Sequence, residues 1–142
     1  MNGGTTLECS TCTGGAGVTL YFNSGTLQMN SNSTVELTAP STGDTANGDV
    51  ANMVLWYASG NGSGLTIDTG SSSYFNGVIY LPTQTLTLNS GSGVTINNGA
   101  TETALDVNNM IVDDNEKFVI NGSGGLLGAG GGQTLGSFAL AE

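Results

Sequence analysis

Leu86-Thr87-Leu88-Asn89-Ser90-Gly91-Ser92-Gly93-Val94-Thr95-Ile96-Asn97-Asn98-Gly99 carries the pattern that decides the fold. Leu86 and Leu88 point one way and Thr87 the other; Val94, Thr95 and Ile96 repeat the arrangement. Alternation is the β period, in which successive side chains leave opposite faces of a strand. Asn89-Ser90-Gly91 and Asn97-Asn98-Gly99 follow the two clusters as corners, because Gly and Asn accept positive φ at least cost. Outward from this stretch the phrase recurs. Val18-Thr19-Leu20-Tyr21-Phe22, Leu27-Gln28-Met29, Val35-Glu36-Leu37, Leu65-Thr66-Ile67 and Phe118-Val119-Ile120 alternate in the same way. No window has apolar residues at helical spacing, and Gly or Asn interrupts nearly every stretch long enough for a helix.

Many neighbouring clusters start eight or nine residues apart. Short strands at that pitch close either as an antiparallel β-sandwich or as a solenoid of stacked coils. Strands with two or three inward apolar residues suit the narrow core of a parallel β-helix. Asn and Thr at similar offsets suit ladders between coils. The expected fold is therefore an all-β parallel β-helix (β-solenoid) of about seven short coils of roughly 20 residues each, with a β-sandwich as the alternative. Residues 1–16 read as an N-terminal capping segment with a cysteine pair, 17–124 as the β-helix domain, and 125–142 as a Gly-rich C-terminal tail or cap.

Composition narrows the chemistry. The 142 residues carry eleven carboxylates, one basic side chain (Lys117), no His and a formal charge of −10. There is no imidazole base, no Ser-His dyad and no His-ligated metal. One cation leaves no footprint for DNA or RNA. Glycosidases need paired carboxyls in a groove, and β-helical lyases need a cationic base, for which Lys117 among Asp113, Asp114 and Glu116 is poorly suited. The expectation is a non-enzyme that binds no nucleic acid.

Val50–Ala58, with the sole Trp of the chain, and Tyr74–Leu81 are the most apolar runs. Continuous apolar runs signal strands covered on both faces, and neither approaches the roughly 20 residues of a membrane span. Their aromatics, Trp56, Tyr57, Tyr74 and Tyr80, read first as core and second as a surface platform for sugar stacking. Cys9-Ser10-Thr11-Cys12 is too small a set for zinc without His. In an exported, oxidised chain it leaves three readings open: a local disulfide, a cross-link to another chain, or two unpaired thiols. Asp44–Asp49 and Asp113-Asp114-Asn115-Glu116 lack the calcium-loop pattern, and Gly60–Asp68 only loosely follows a calcium-binding nonapeptide. Solvated acids are expected there, with calcium the one cofactor to weigh.

Taken in order, several segments resemble the C-terminal region of TadG-like proteins of tight-adherence (Flp) pilus systems. They are Gly17–Phe22, Val35–Pro40, Val54–Tyr57, Phe75–Pro82, Leu86–Leu88, Met110–Asp113 and Phe118–Gly124. The resemblance implies a right-handed β-helix serving as a non-enzymatic extracellular module of a bacterial cell-surface appendage. It also implies an N-terminal membrane anchor and often a further domain, which these 142 residues do not include; no leader-like segment precedes the strands. The functional expectation is a structural or adhesive module that self-associates, even into filaments, or joins other appendage subunits. It does not insert directly into a membrane. A carbohydrate- or surface-binding module is the alternative.

Overall fold

The computed structural model describes residues 1–44, 48–69, 73–89, 93–96, 105–113 and 117–120. Within them the alternating clusters form strands β1 (Thr6–Glu8), β2 (Leu20–Phe22), β3 (Gln28–Thr38), β4 (Met53–Tyr57) and β5 (Leu65–Thr69). β6 (Ser73–Asn76), β7 (Val78–Leu88), β8 (Gly93–Ile96), β9 (Leu105–Val112) and β10 (Lys117–Ile120) follow. No helix occurs among the described residues, so none is long and apolar enough to cross a membrane.

Two parallel sheets result. Sheet A runs β1-β3-β6-β8-β10. Sheet B joins β2-β4-β7-β9 and links β3 to β7 through β5. Every strand pair is parallel, which disposes of the antiparallel sandwich. An antiparallel bridge between Asp44 and Asp49 lies outside the strands. Parallel sheets of this extent are the habit of α/β proteins, whose helices cover the faces. Here the cover comes from the opposing sheet.

The expected right-handed parallel β-helix of about seven short coils is corrected by this topology. Coils of constant length would place each partner a fixed distance along the chain. Instead Tyr74 pairs with Thr95, 21 residues on, and Glu36 with Tyr74, 38 residues on. Two strands are eleven residues long. β3 pairs β5 in sheet B and then β1 and β6 in sheet A, with its register broken between Met29 and Ser33, where Asn32 adopts φ 63°. β7 carries β4 along Val78–Tyr80 and β5 along Leu86–Leu88, so sheet B curls as a half-barrel rather than turning at sharp corners. Alternation in the sequence fixes which way each side chain points; it contains no information on how far away the pairing strand lies.

The core lies between the sheets. Columns of inward side chains cross the strands in register: Leu20-Leu55-Ile79-Leu105 and Met29-Ile67-Leu88 in sheet B, Leu37-Phe75-Ile96 in sheet A. Leu55, Ile79, Ile67, Leu88, Phe75 and Ile96 are wholly buried, each contributing about 1.5–3 kcal/mol relative to exposure. Gly77 links β6 to β7 at φ 134°, where a Cβ would lie 2.6 Å from the Ala39 Cβ and 2.7 Å from the Asn52 carbonyl oxygen. Buried amides clamp the turns. Asn61 Nδ2 donates to the Phe22 and Gly25 carbonyls at 3.2 and 2.8 Å, and Gln84 Nε2 donates to those of Ala58 and Asn61 at 2.9 and 2.6 Å.

Candidate functional site

Residues that alternate with the core columns must face outward, and in one outward column of sheet B three of them are aromatic. Tyr21 lies between Leu20 and Phe22, Trp56 between Leu55 and Tyr57, and Tyr80 between Ile79 and Leu81. Tyr21 pairs with Trp56 across β2 and β4, Trp56 with Tyr80 across β4 and β7, and Tyr80 with Asp106 across β7 and β9. Adjacent strands are about 4.8 Å apart, so parallel in-register pairing lines up three rings and a carboxylate in one column. Tyr21 is 54% exposed, and its ring meets Trp56 edge-on, with centroids 5.1 Å apart and planes at 63°. The Tyr21 hydroxyl donates to Asn23 Oδ1 at 3.4 Å. Trp56 and Tyr80 are half-buried, and Asp106 and Asn108 are exposed. The column offers ring faces and edges, phenol hydroxyls and a carboxylate. That set suits stacking, cation–π contact and hydrogen bonding.

The four aromatics singled out in the sequence separate into three environments. Trp56 and Tyr80 stand together in the column. Tyr57 is fully buried, stacked on Phe22 at 4.8 Å. Its hydroxyl accepts from the Leu27 amide at 3.0 Å and shares a 3.1 Å hydrogen bond with Thr26 Oγ1, which leaves it no surface to bind with. Tyr74 lies on sheet A, in register with Glu36 on one side and Thr95 on the other. Burial, and then the charges of Glu36 and Glu8, hold its phenol above the usual range. Glu8 and Glu36 are themselves direct cross-strand neighbours. Tyr21 and Asp106 were missed. The alternation of Val18–Phe22 already turns Tyr21 away from the core, but nothing in the sequence says which outward residue it stands beside.

Cys9 and Cys12 are joined as a local disulfide, Cα–Cα 5.4 Å, across a turn closed by the Cys12 amide donating to the Cys9 carbonyl at 3.2 Å. The turn follows β1 directly, and β1 pairs with β3 at the edge of sheet A. Among the described residues no group of three His, Cys, Asp or Glu side chains converges as a metal site. Asp44 and Asp49 border an open hollow of about 400 Å³ lined also by Gly14–Gly17 and Pro40–Thr42. Asn61, in the nonapeptide-like stretch, spends its side-chain amide on the Phe22 and Gly25 carbonyls. Asp114, Asn115 and Glu116, and the Gly-rich 125–142, lie outside the described residues. No protein-family model matches this chain, and neither a curated protein nor a solved structure does.

Proposed function

We propose that this chain is a non-enzymatic extracellular structural and adhesive module of a bacterial cell-surface appendage, and that it adheres through the sheet B aromatic column. The observation carrying this reading is the alignment of Tyr21, Trp56 and Tyr80 on the outward side of three adjacent strands. An aromatic side chain left outside a core forgoes a large burial gain, and exposed rings grouped together are characteristic of recognition surfaces. The resemblance to TadG-like proteins supplies the cellular setting. A glycan array probed with the purified chain tests it: binding that disappears in Tyr21→Ala and Tyr80→Ala supports adhesion through the column. Binding to nothing, or binding indifferent to both substitutions, overturns it.

A second reading, self-association, is favoured by a different observation. Ile111 and Val112 on β9 are 45% and 49% exposed, and among the described residues no strand pairs the outer edge of β9. Unpaired parallel edges are templates for another chain.

A further inference from the structure

We propose that the ligand of the aromatic column is a cationic saccharide, an amino-sugar chain with protonated amines, lying across strands β2, β4, β7 and β9. This rests on the adhesive reading and adds the chemical class of the ligand. Three observations carry it.

The column does not end in a fourth ring but in a carboxylate. Asp106 is the in-register neighbour of Tyr80 and is exposed. From Tyr21 to Asp106 the column crosses three strand intervals, about 14 Å. A short run of sugar rings laid along it would set apolar C–H faces against Tyr21, Trp56 and Tyr80, and one substituent beside Asp106.

The side-chain charge of the chain is overwhelmingly of one sign. Eleven carboxylates stand against the single Lys117, which belongs to β10 of sheet A, whereas the column is on sheet B. Sulfated, uronic or phosphate-bearing glycans would be repelled, whereas protonated amines are attracted at long range by the net charge and at short range by Asp106. Aromatic rings add to this selection, because the negative π face of Trp or Tyr attracts a cation within about 6 Å of its centroid.

The column's rim is hydrogen-bonding but uncharged. Asn23 and Asn108 are exposed at its two ends, and Asn23 already engages the Tyr21 hydroxyl. Such groups suit sugar hydroxyls and do not compete with Asp106 for the amine.

Trp56 is the sole Trp, so intrinsic emission reports from the site itself. The test is a fluorescence titration at pH 5.5, checked by calorimetry, with glucosamine oligomers, their N-acetylated counterparts and cello-oligosaccharides. The glucosamine oligomers are expected to bind about tenfold more tightly than the N-acetylated ones, and to weaken as salt rises, because exposed charge attraction is screened. Tyr21→Ala and Tyr80→Ala should each raise Kd by about fivefold or more, the loss of one stacking partner. Asp106→Asn should remove the preference for free amines, and Tyr74→Ala on sheet A should leave binding unchanged. Equal affinity for all three oligomers, with Asp106→Asn silent, would overturn the cationic ligand and leave the adhesive reading standing. No binding by any oligomer would overturn the cationic ligand and leave adhesion to the glycan array, whereas binding unaffected by the tyrosine substitutions would overturn both.

Discussion

Gln84 shows how one buried side chain can hold a turn through its carbonyls. Its Nε2 group, 3% exposed with the rest of the residue, bonds the carbonyls of Ala58 and Asn61, while Asn61 in turn bonds those of Phe22 and Gly25. The chain of amides ties the segments after β2 and β4 to β7. Gln84→Leu fills similar volume but leaves the Asn61 carbonyl buried without this donor, at a cost of about 1–3 kcal/mol. Urea unfolding should show a lower midpoint with an unchanged slope. Thr83→Val is the milder comparison: the Thr83 hydroxyl donates to the Ser59 carbonyl at 2.7 Å and accepts from Gln84 Nε2 at 2.8 Å, but Thr83 is exposed and water can replace it at both. A Gln84→Leu midpoint equal to that of Thr83→Val would show that the buried amide clamp is not what stabilises these turns. Neither amide is distinguishable in the sequence from the many other Asn and Gln residues, since its role depends on carbonyls more than twenty positions away.

At the scale of elements, the outer column of sheet A sets Glu8, Glu36 and Tyr74 side by side on β1, β3 and β6. Parallel in-register pairing brings like charges into direct opposition, which is unfavourable. Burial and the two glutamates raise the Tyr74 phenol above its usual value in the folded chain. The unfolded chain then loses this proton first, at about pH 10. Stability from Tyr74 is therefore complete below that pH and declines as pH rises towards the folded value. Tyr74→Phe should flatten the alkaline limb of a stability–pH curve measured between pH 8 and 11, and Glu36→Gln should make that limb shallower. A curve unchanged by Tyr74→Phe would show that Tyr74 is not the source of the alkaline loss. This column also marks how far the sequence could be read. That Glu36 points away from Val35 and Leu37 is legible from alternation alone, as is the outward aim of Trp56 and Tyr80. That Glu36 stands against Glu8 and Tyr74, or Trp56 against Tyr21, follows from pairing across 28 to 38 residues of chain. The same gap explains the fold correction. In the sequence Leu27–Met29 and Val35–Leu37, like Tyr74–Leu81 and Leu86–Leu88, are separate apolar clusters, yet β3 and β7 run on from one to the other. Asn32 takes up a left-handed φ within β3, and β7 shifts register instead of ending.

For the whole molecule, the balance between a net charge of −10 and an apolar end decides whether copies associate. Ile111 and Val112 are about half exposed, so covering both would contribute about 1 kcal/mol each. Association costs at least about 4 kcal/mol in lost translational and rotational freedom. Side-chain burial alone is too small, and pairing would also have to engage backbone groups along the eight residues of β9. Repulsion between like-charged copies opposes even that, acting over about 30 Å at 10 mM salt but only about 8 Å at 150 mM. Self-association is therefore expected to be weak, to depend on concentration and to strengthen with salt, the reverse of the salt dependence expected for cationic saccharide binding. Light scattering across protein concentration at both salt levels separates the two effects on one sample. The mass should stay near 14.2 kDa at low salt and rise at high salt, and Ile111→Ser with Val112→Lys should hold it at the monomer value throughout. A mass of 14.2 kDa for the unaltered chain under all conditions would remove self-association from its function and leave adhesion as the reading to pursue.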